Sequence, residues 1–199
     1  ERIVHVSITN PSPDSPLPYF RGKALVEGTL RDLGIPHAIL RPAVFFGGRD
    51  VLINNIAWLL RRLPVFGFAR GSYGVQPIHV RDFAQLAWRC GSTRDDVVLD
   101  AIGPESLRFD DLVRLVRRAV GSHAALVPVP RSVVLGAARI VGRFVRDVVL
   151  TPEEVAGLTA NLLVSSEPPT GRTALSEWLA RNGQSLGVEW ASEILRHYA

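Results

Sequence analysis

The sequence predicts an α/β fold in which the second half of a doubly wound parallel sheet is followed by a smaller, mostly helical region. Three observations predict it. Ile3 to Ile8 alternates and is rich in β-branched residues, as a half-buried strand does. Residues 16–33 then read as one helix, with Pro16 in its first turn and Gly34 at its end. His37-Ala38-Ile39-Leu40 follows as a short apolar strand. Strand, helix and strand with short links form a parallel unit with a right-handed crossover.

The first strand ends at the Thr9-Asn10-Pro11 turn, and Asp14 or Ser15 is placed to cap the helix. The second strand closes at Arg41-Pro42. Val51 to Leu63 is helical in pattern, and Pro64 to Gly74 reads as a loop rich in glycine and aromatics. Val75 to Val80 is a strand, Asp82 is placed to cap a helix running to Trp88, and Val97 to Ala101 is a further strand. From Leu107 to Val120, Leu112, Leu115, Val116 and Ala119 share one side of a helix, with Arg114, Arg117 and Arg118 on the other. Val127 to Pro130 is extended. Helices over about 132–146 and 152–163, and one near 176–180, complete a mostly helical tail. This divides the chain into residues 1–103 and 104–199.

With 47% hydrophobic and 21% charged residues among 199, the chain can bury a core, which excludes disorder, collagen-like repeats and a disulfide scaffold. Cys90 is the sole cysteine, and no run is long and apolar enough to span a membrane. We expect no signal peptide and the cytoplasm as the compartment. The abrupt start on a strand and the lack of methionine lead us to expect the later part of something longer. The arginines are scattered among 19 acidic residues, which argues against nucleic acid as a partner. Of 23 basic residues only Lys23 is a lysine, so one site has kept a compact ammonium where arginine serves everywhere else.

None of the phosphate-loop, dinucleotide-loop or zinc-protease motifs occurs, and the histidines never fall at metal-ligand spacing, so no metal is expected. What remains is Tyr19-Phe20-Arg21-Gly22-Lys23 at the start of the helix after the first strand. Four residues apart, the phenol and the ammonium share a helix face, and a nearby cation favours the phenolate. Ser7, twelve positions before Tyr19, offers a hydroxyl to polarise a carbonyl opposite the tyrosine. Together they point to proton transfer at a carbonyl or alcohol carbon.

These residues resemble the short-chain dehydrogenase/reductase superfamily, in its extended or atypical branch of epimerase/dehydratase-like and NmrA-like proteins. The resemblance runs from Val4 to about Ala101. It rests on His5-Val6-Ser7, on Tyr19-x-x-x-Lys23, on Ile39-Leu40-Arg41-Pro42-Ala43-Val44-Phe45-Phe46-Gly47, and on Gln76-Pro77-Ile78-His79-Val80-Arg81-Asp82-Phe83-Ala84. It implies the second half of a Rossmann-type NAD(P)-binding domain. The cofactor implied is NAD or NADP, and the activity is hydride transfer with Tyr19 as acid/base. Lys23 would hold the nicotinamide ribose, Ser7 would orient the substrate carbonyl, and Pro42 and Val44 would pass beside the nicotinamide. Thr9, Asn54 and His79 are the candidates for a small-molecule substrate.

Two departures from the family stand out. Its glycine-rich phosphate loop belongs to an N-terminal half that these residues do not include, and Ala43 stands where epimerase-like members often carry an asparagine. Several readings stay open. Asn54 and Asn55 either face substrate or cap their helix, and His79 either lines a pocket or is satisfied by backbone. Arg139, Arg143 and Arg146 either meet an anionic membrane or form a solvated face. The rival to an enzyme is a non-catalytic NAD(P)H-binding redox sensor, or an accessory or assembly protein of the NmrA or complex I type. A homodimer through the tyrosine-bearing helix is a further expectation from the family.

Overall fold

The computed structural model describes residues 2–48 and 50–194. In chain order the elements are β1 (Ile3–Val6), α1 (Pro18–Asp32), β2 (His37–Pro42), β3 (Val44–Phe46), α2 (Leu52–Arg62) and β4 (Val65–Ala69). Then come β5 (Gly74–Val75), β6 (Pro77–His79), α3 (Val80–Ser92), β7 (Val97–Ala101), β8 (Leu107–Arg108) and α4 (Phe109–Ala119). The last are β9 (Ala125–Val129), α5 (Arg131–Val145), α6 (Pro152–Thr159) and α7 (Leu175–Asn182). The chain forms two compact units. The first comprises residues 1–47, 74–106 and 161–175, and the second comprises residues 48–73, 107–160 and 176–199.

In the first unit, β1, β2 and β7 form a parallel sheet with β2 in the centre. Burial follows from that position: Ala38, Ile39 and Leu40 are wholly buried, so β2 reads as a continuous apolar run. Ala38 and Leu40 pack with Leu86 and Cys90 of α3 and with Ala101, while Glu27 of α1 meets Arg41 of β2 and Ser7 just past β1. This is the doubly wound α/β architecture that the βαβ pattern predicts. A second parallel pair, β3 with β6, sets Phe46 beside His79. There the Gly47 backbone runs against the His79 ring at φ +108, and a Cβ would fall 2.7 Å from Nε2, so only glycine fits.

In the second unit, α2 and α4 bury Ile53, Ile56, Leu60, Leu112, Val113 and Val116. β4 pairs in parallel with β9, from Val65↔Ala125 to Ala69↔Val129. The loop expected over residues 64–74 is therefore in part a strand, because Val-Phe-Gly-Phe-Ala alternates with Phe66 and Phe68 pointing inward.

Two expected caps are also corrected. α1 begins at Pro18 with Leu17 before it, and Ser15 accepts from the Leu17 amide without reaching the helix. α3 is capped by His79, whose Nδ1 accepts from the Arg81 amide at 3.2 Å. Asp82 instead accepts from the Arg172 and Thr173 amides at 2.8 and 2.7 Å.

Candidate functional site

Tyr19, Lys23 and Glu27 follow one another at four-residue spacing on α1 and pass from exposed to buried. Tyr19 is 54% exposed and Glu27 is 1% exposed. The Lys23 ammonium donates to the Val6 carbonyl at the end of β1 (2.8 Å) and stands 5.6 Å from the centroid of the Tyr19 ring. The structure thus brings together the two residues that the four-residue spacing pairs.

Their electrostatics differ from the sequence reading. Partial burial raises the Tyr19 pKa from its ordinary value, where the spacing alone predicts that Lys23 lowers it. The ammonium faces the ring and is held by a carbonyl, so the phenol's loss of water decides the direction. The Tyr19 hydroxyl makes no hydrogen bond among the described residues.

Ser7 lies one turn further along, at Glu27. It is buried, and its hydroxyl donates to Glu27 Oε1 at 2.6 Å. Arg41 of β2 grips the same carboxylate with both arms, Nε to Oε1 at 2.9 Å and Nη2 to Oε2 at 2.5 Å, and Arg31 adds a contact at 3.1 Å. Burial pushes the Glu27 carboxyl up. The hydrogen bonds from Arg41 and Ser7 and the charges of Arg41 and Arg31 outweigh it, leaving the group below its usual value. A serine hydroxyl has one proton to donate, and here that proton goes to Glu27.

Sequence reasoning missed Glu27. The signal was present: it is the acid one turn after Lys23, on the helix face that turns inward. His5 shares the Ser7 face of β1. Its Nε2 is buried and has no hydrogen-bond partner among the described residues. Burial lowers the His5 pKa, the Lys23 charge acts in the same direction, and Glu27 opposes both.

The remaining candidates fall elsewhere. Thr9 is fully buried and donates to the Leu162 carbonyl at 2.8 Å. Pro42 closes β2, and its carbonyl accepts from the Thr9 amide at 3.1 Å. Val44 opens β3 and is half-buried. His79 caps α3 as described, and burial lowers its pKa, with Arg81 aiding and Asp82 opposing. Asn54 belongs to the second unit, where its amide holds the Glu189 carbonyl (2.9 Å) and the Gly187 amide (3.0 Å). Asn55 beside it holds both backbone groups of Ala191 at 2.9 Å.

These residues fit one end of a nicotinamide nucleotide. An ammonium has three donors, and Lys23 gives one to Val6; two remain beside a half-exposed phenol, which suits a pair of ribose hydroxyls. No glycine-rich phosphate loop is among them. Among the described residues there is no cluster able to hold a metal ion, and no helix is long and apolar enough to cross a membrane.

No family model matches the chain. Two curated relatives do. One is the mitochondrial NADH dehydrogenase [ubiquinone] 1 alpha subcomplex subunit 9 of Dictyostelium discoideum, 27% identical over 133 residues, covering 65% of this chain and 37% of that protein. The other is the mitochondrial NADH-ubiquinone oxidoreductase 40 kDa subunit of Neurospora crassa, 24% identical over 159 residues, covering 78% of this chain and 41% of that protein. The chain thus spans about two fifths of the length of these relatives.

Solved structures share its fold. The NADPH-dependent quinone oxidoreductase of Escherichia coli superposes with a TM-score of 0.73 at 17% identity, covering 90% of this chain and 66% of the other. The triphenylmethane reductase of a Citrobacter species gives 0.72 at 15% identity, covering 93% and 65%. A nucleoside-diphosphate-sugar epimerase of Staphylococcus aureus gives 0.69 at 15%, covering 90% and 64%.

Proposed function

We infer that this chain, whose fold is that of the extended and atypical short-chain dehydrogenase/reductases, forms the nicotinamide-ribose side of a protein that binds NAD(P)H without serine-assisted turnover. One observation carries the reading: the Lys23 ammonium sits beside Tyr19 with donors to spare, while the Ser7 proton is committed to Glu27. Lys23 holds the ribose hydroxyls, Tyr19 flanks them, and Pro42 and Val44 line the nicotinamide side. Ser7 and Glu27 fix the floor of the site. The bound nicotinamide supplies two-electron reducing capacity; the residues of this chain supply its position. The two curated relatives, named as subunits of an NADH-ubiquinone oxidoreductase, support a binding role within a larger assembly. Thr9 and Asn54, whose side chains hold backbone, take structural roles in this reading.

The test is a titration of the full-length protein with NADH and NADPH, followed by fluorescence, beside an assay for quinone and carbonyl reduction. Binding of one nucleotide with no turnover is expected, with Lys23→Met weakening it at least about tenfold, as loss of charge-assisted hydrogen bonds does. Equal binding by wild type and Lys23→Met overturns the assignment of Lys23.

A second reading is an oxidoreductase with Tyr19 as the acid/base, and the Tyr19 hydroxyl, which makes no hydrogen bond among the described residues, favours it. Under it the wild type turns over a small-molecule carbonyl or quinone, and Tyr19→Phe abolishes that activity while leaving nucleotide affinity in place.

A further inference from the structure

The last long helix, α5, has apolar residues on two sides. One side packs into the second unit, with Ala138 buried and Val134, Val141 and Val145 half-buried. The other faces water. Val133, Ala137, Ile140 and Phe144 recur at helical spacing and fall within about 60° of one another around the helix axis. Val133 is 52% exposed, Ile140 62% and Phe144 84%, and Val148 just past the helix is 53% exposed. Singly exposed apolar residues are ordinary; a stripe of them along four turns is not.

The charges that α5 itself carries have one sign. Arg139 and Arg143 run along one edge of it, about 90–130° round the helix, with Arg131 and Arg146 near the two ends. No acidic residue lies between Arg131 and Arg146. Asp147, which follows, is turned inward, where it accepts from Trp190 Nε1 at 2.8 Å and from the Glu193 and Ile194 amides. Among the described residues, Arg139, Arg143 and Arg146 form no ion pair.

We propose that α5 lies in the interface of an anionic lipid bilayer. Phe144, Ile140 and Val133 enter the acyl boundary, and the arginines reach up along the edge to the headgroups. A bilayer meets both features at once, since it offers apolar depth under a negatively charged surface. A second copy fits less well. In an antiparallel two-fold pairing over this stripe, the arginine flank of one copy would face that of the other.

The experiment is cosedimentation of the full-length protein, without nucleotide, with phosphatidylglycerol/phosphatidylcholine vesicles and with phosphatidylcholine vesicles alone, at low and high salt. Binding to the anionic vesicles at low salt, weakened by added salt and far weaker on neutral lipid, is expected. Ile140→Ser with Phe144→Ser lowers the partition at least about tenfold. Arg139→Gln with Arg143→Gln lowers it about fivefold per arginine, and the two lysine variants keep it. All of these side chains are exposed, so circular dichroism should show an unchanged fold in each variant.

No binding to anionic vesicles at low salt overturns the proposal, and so does equal binding to neutral ones. Light scattering closes the remaining route: self-association of the wild type that Phe144→Ser abolishes would show that a second copy covers the stripe, and would likewise overturn it. Because nucleotide is absent throughout, these results stand apart from the assignment of Lys23.

Discussion

Along α1, the turn that carries Tyr19 and Lys23 and the turn that carries Glu27 differ in how far their polar atoms are already bonded. Glu27 accepts from Ser7, Arg41 and Arg31, so its carboxylate ties the helix to β1 and β2. Lys23 makes one bond and Tyr19 makes none that can be seen among the described residues. The same four-residue spacing therefore produces an anchor at one end and a set of available donors at the other. A saturated group contributes to stability, and an unsaturated one at a surface is what a ligand can still engage.

Breaking the anchor is expected to have the largest effect. Glu27→Ala leaves the Arg41 guanidinium and the Ser7 hydroxyl without their acceptor, and should lower unfolding stability by about 3 kcal/mol, read from urea denaturation. A loss below about 1 kcal/mol would mean that water replaces the carboxylate readily and that the anchor is weak.

Acid should remove part of the same contribution. Because the Glu27 pKa is lower folded than unfolded, its contribution is complete above the ordinary glutamate range. It is lost as pH falls through that range towards the depressed folded value. His5 acts in the same sense: its pKa is also depressed, so its contribution is present above the ordinary histidine range and lost below it. Urea midpoints across an acid series should fall for the wild type, and the steepest part of the fall should flatten in Glu27→Gln.

The anchor was less legible in the sequence than the donors, for a physical reason. Tyr19 and Lys23 carry a local signal, since both the spacing and the strand-helix setting lie within one stretch of chain. The role of Glu27 depends on Arg41, which lies 14 positions away and arrives through the parallel pairing of β2 with β1. The outlines of β1, α1, β2, β7 and α4 could be read because each has its own periodicity. β4 could not, because Gly67 and the flanking Pro64 and Gly71 read as loop. What makes it a strand is pairing with β9 about sixty residues later. Asp82 is a similar case: it has the right type and position for a helix cap, yet its acceptor oxygen is claimed by amides some ninety residues on, and His79 takes the cap.

The second unit supplies a neutral counterpart to the Glu27 anchor. Asn55 satisfies both backbone groups of Ala191, and Asn54 does the same work at Gly187 and Glu189. Asn55→Ala strands a buried amide and a buried carbonyl, and should lower stability by about 1–2 kcal/mol in urea. With no titrating group in the clamp, that loss should be the same at every pH, in contrast to Glu27→Gln. It should also leave nucleotide affinity unchanged, and a tenfold weakening would place this clamp in the binding site after all.

The smallest structural effect is expected at Tyr19. Its ring is half-exposed beside Phe20, with centroids 6.0 Å apart, and its hydroxyl bonds nothing seen among the described residues. Tyr19→Phe keeps the ring and removes only the oxygen, so stability should stay within about 0.5 kcal/mol of wild type. A larger loss would show that the hydroxyl belongs to the anchor. If stability holds, any change in nucleotide affinity or turnover can be assigned to the oxygen itself. Affinity that falls by severalfold without turnover would make Tyr19 a second ribose contact beside Lys23. Lost turnover at full affinity would make it the acid/base.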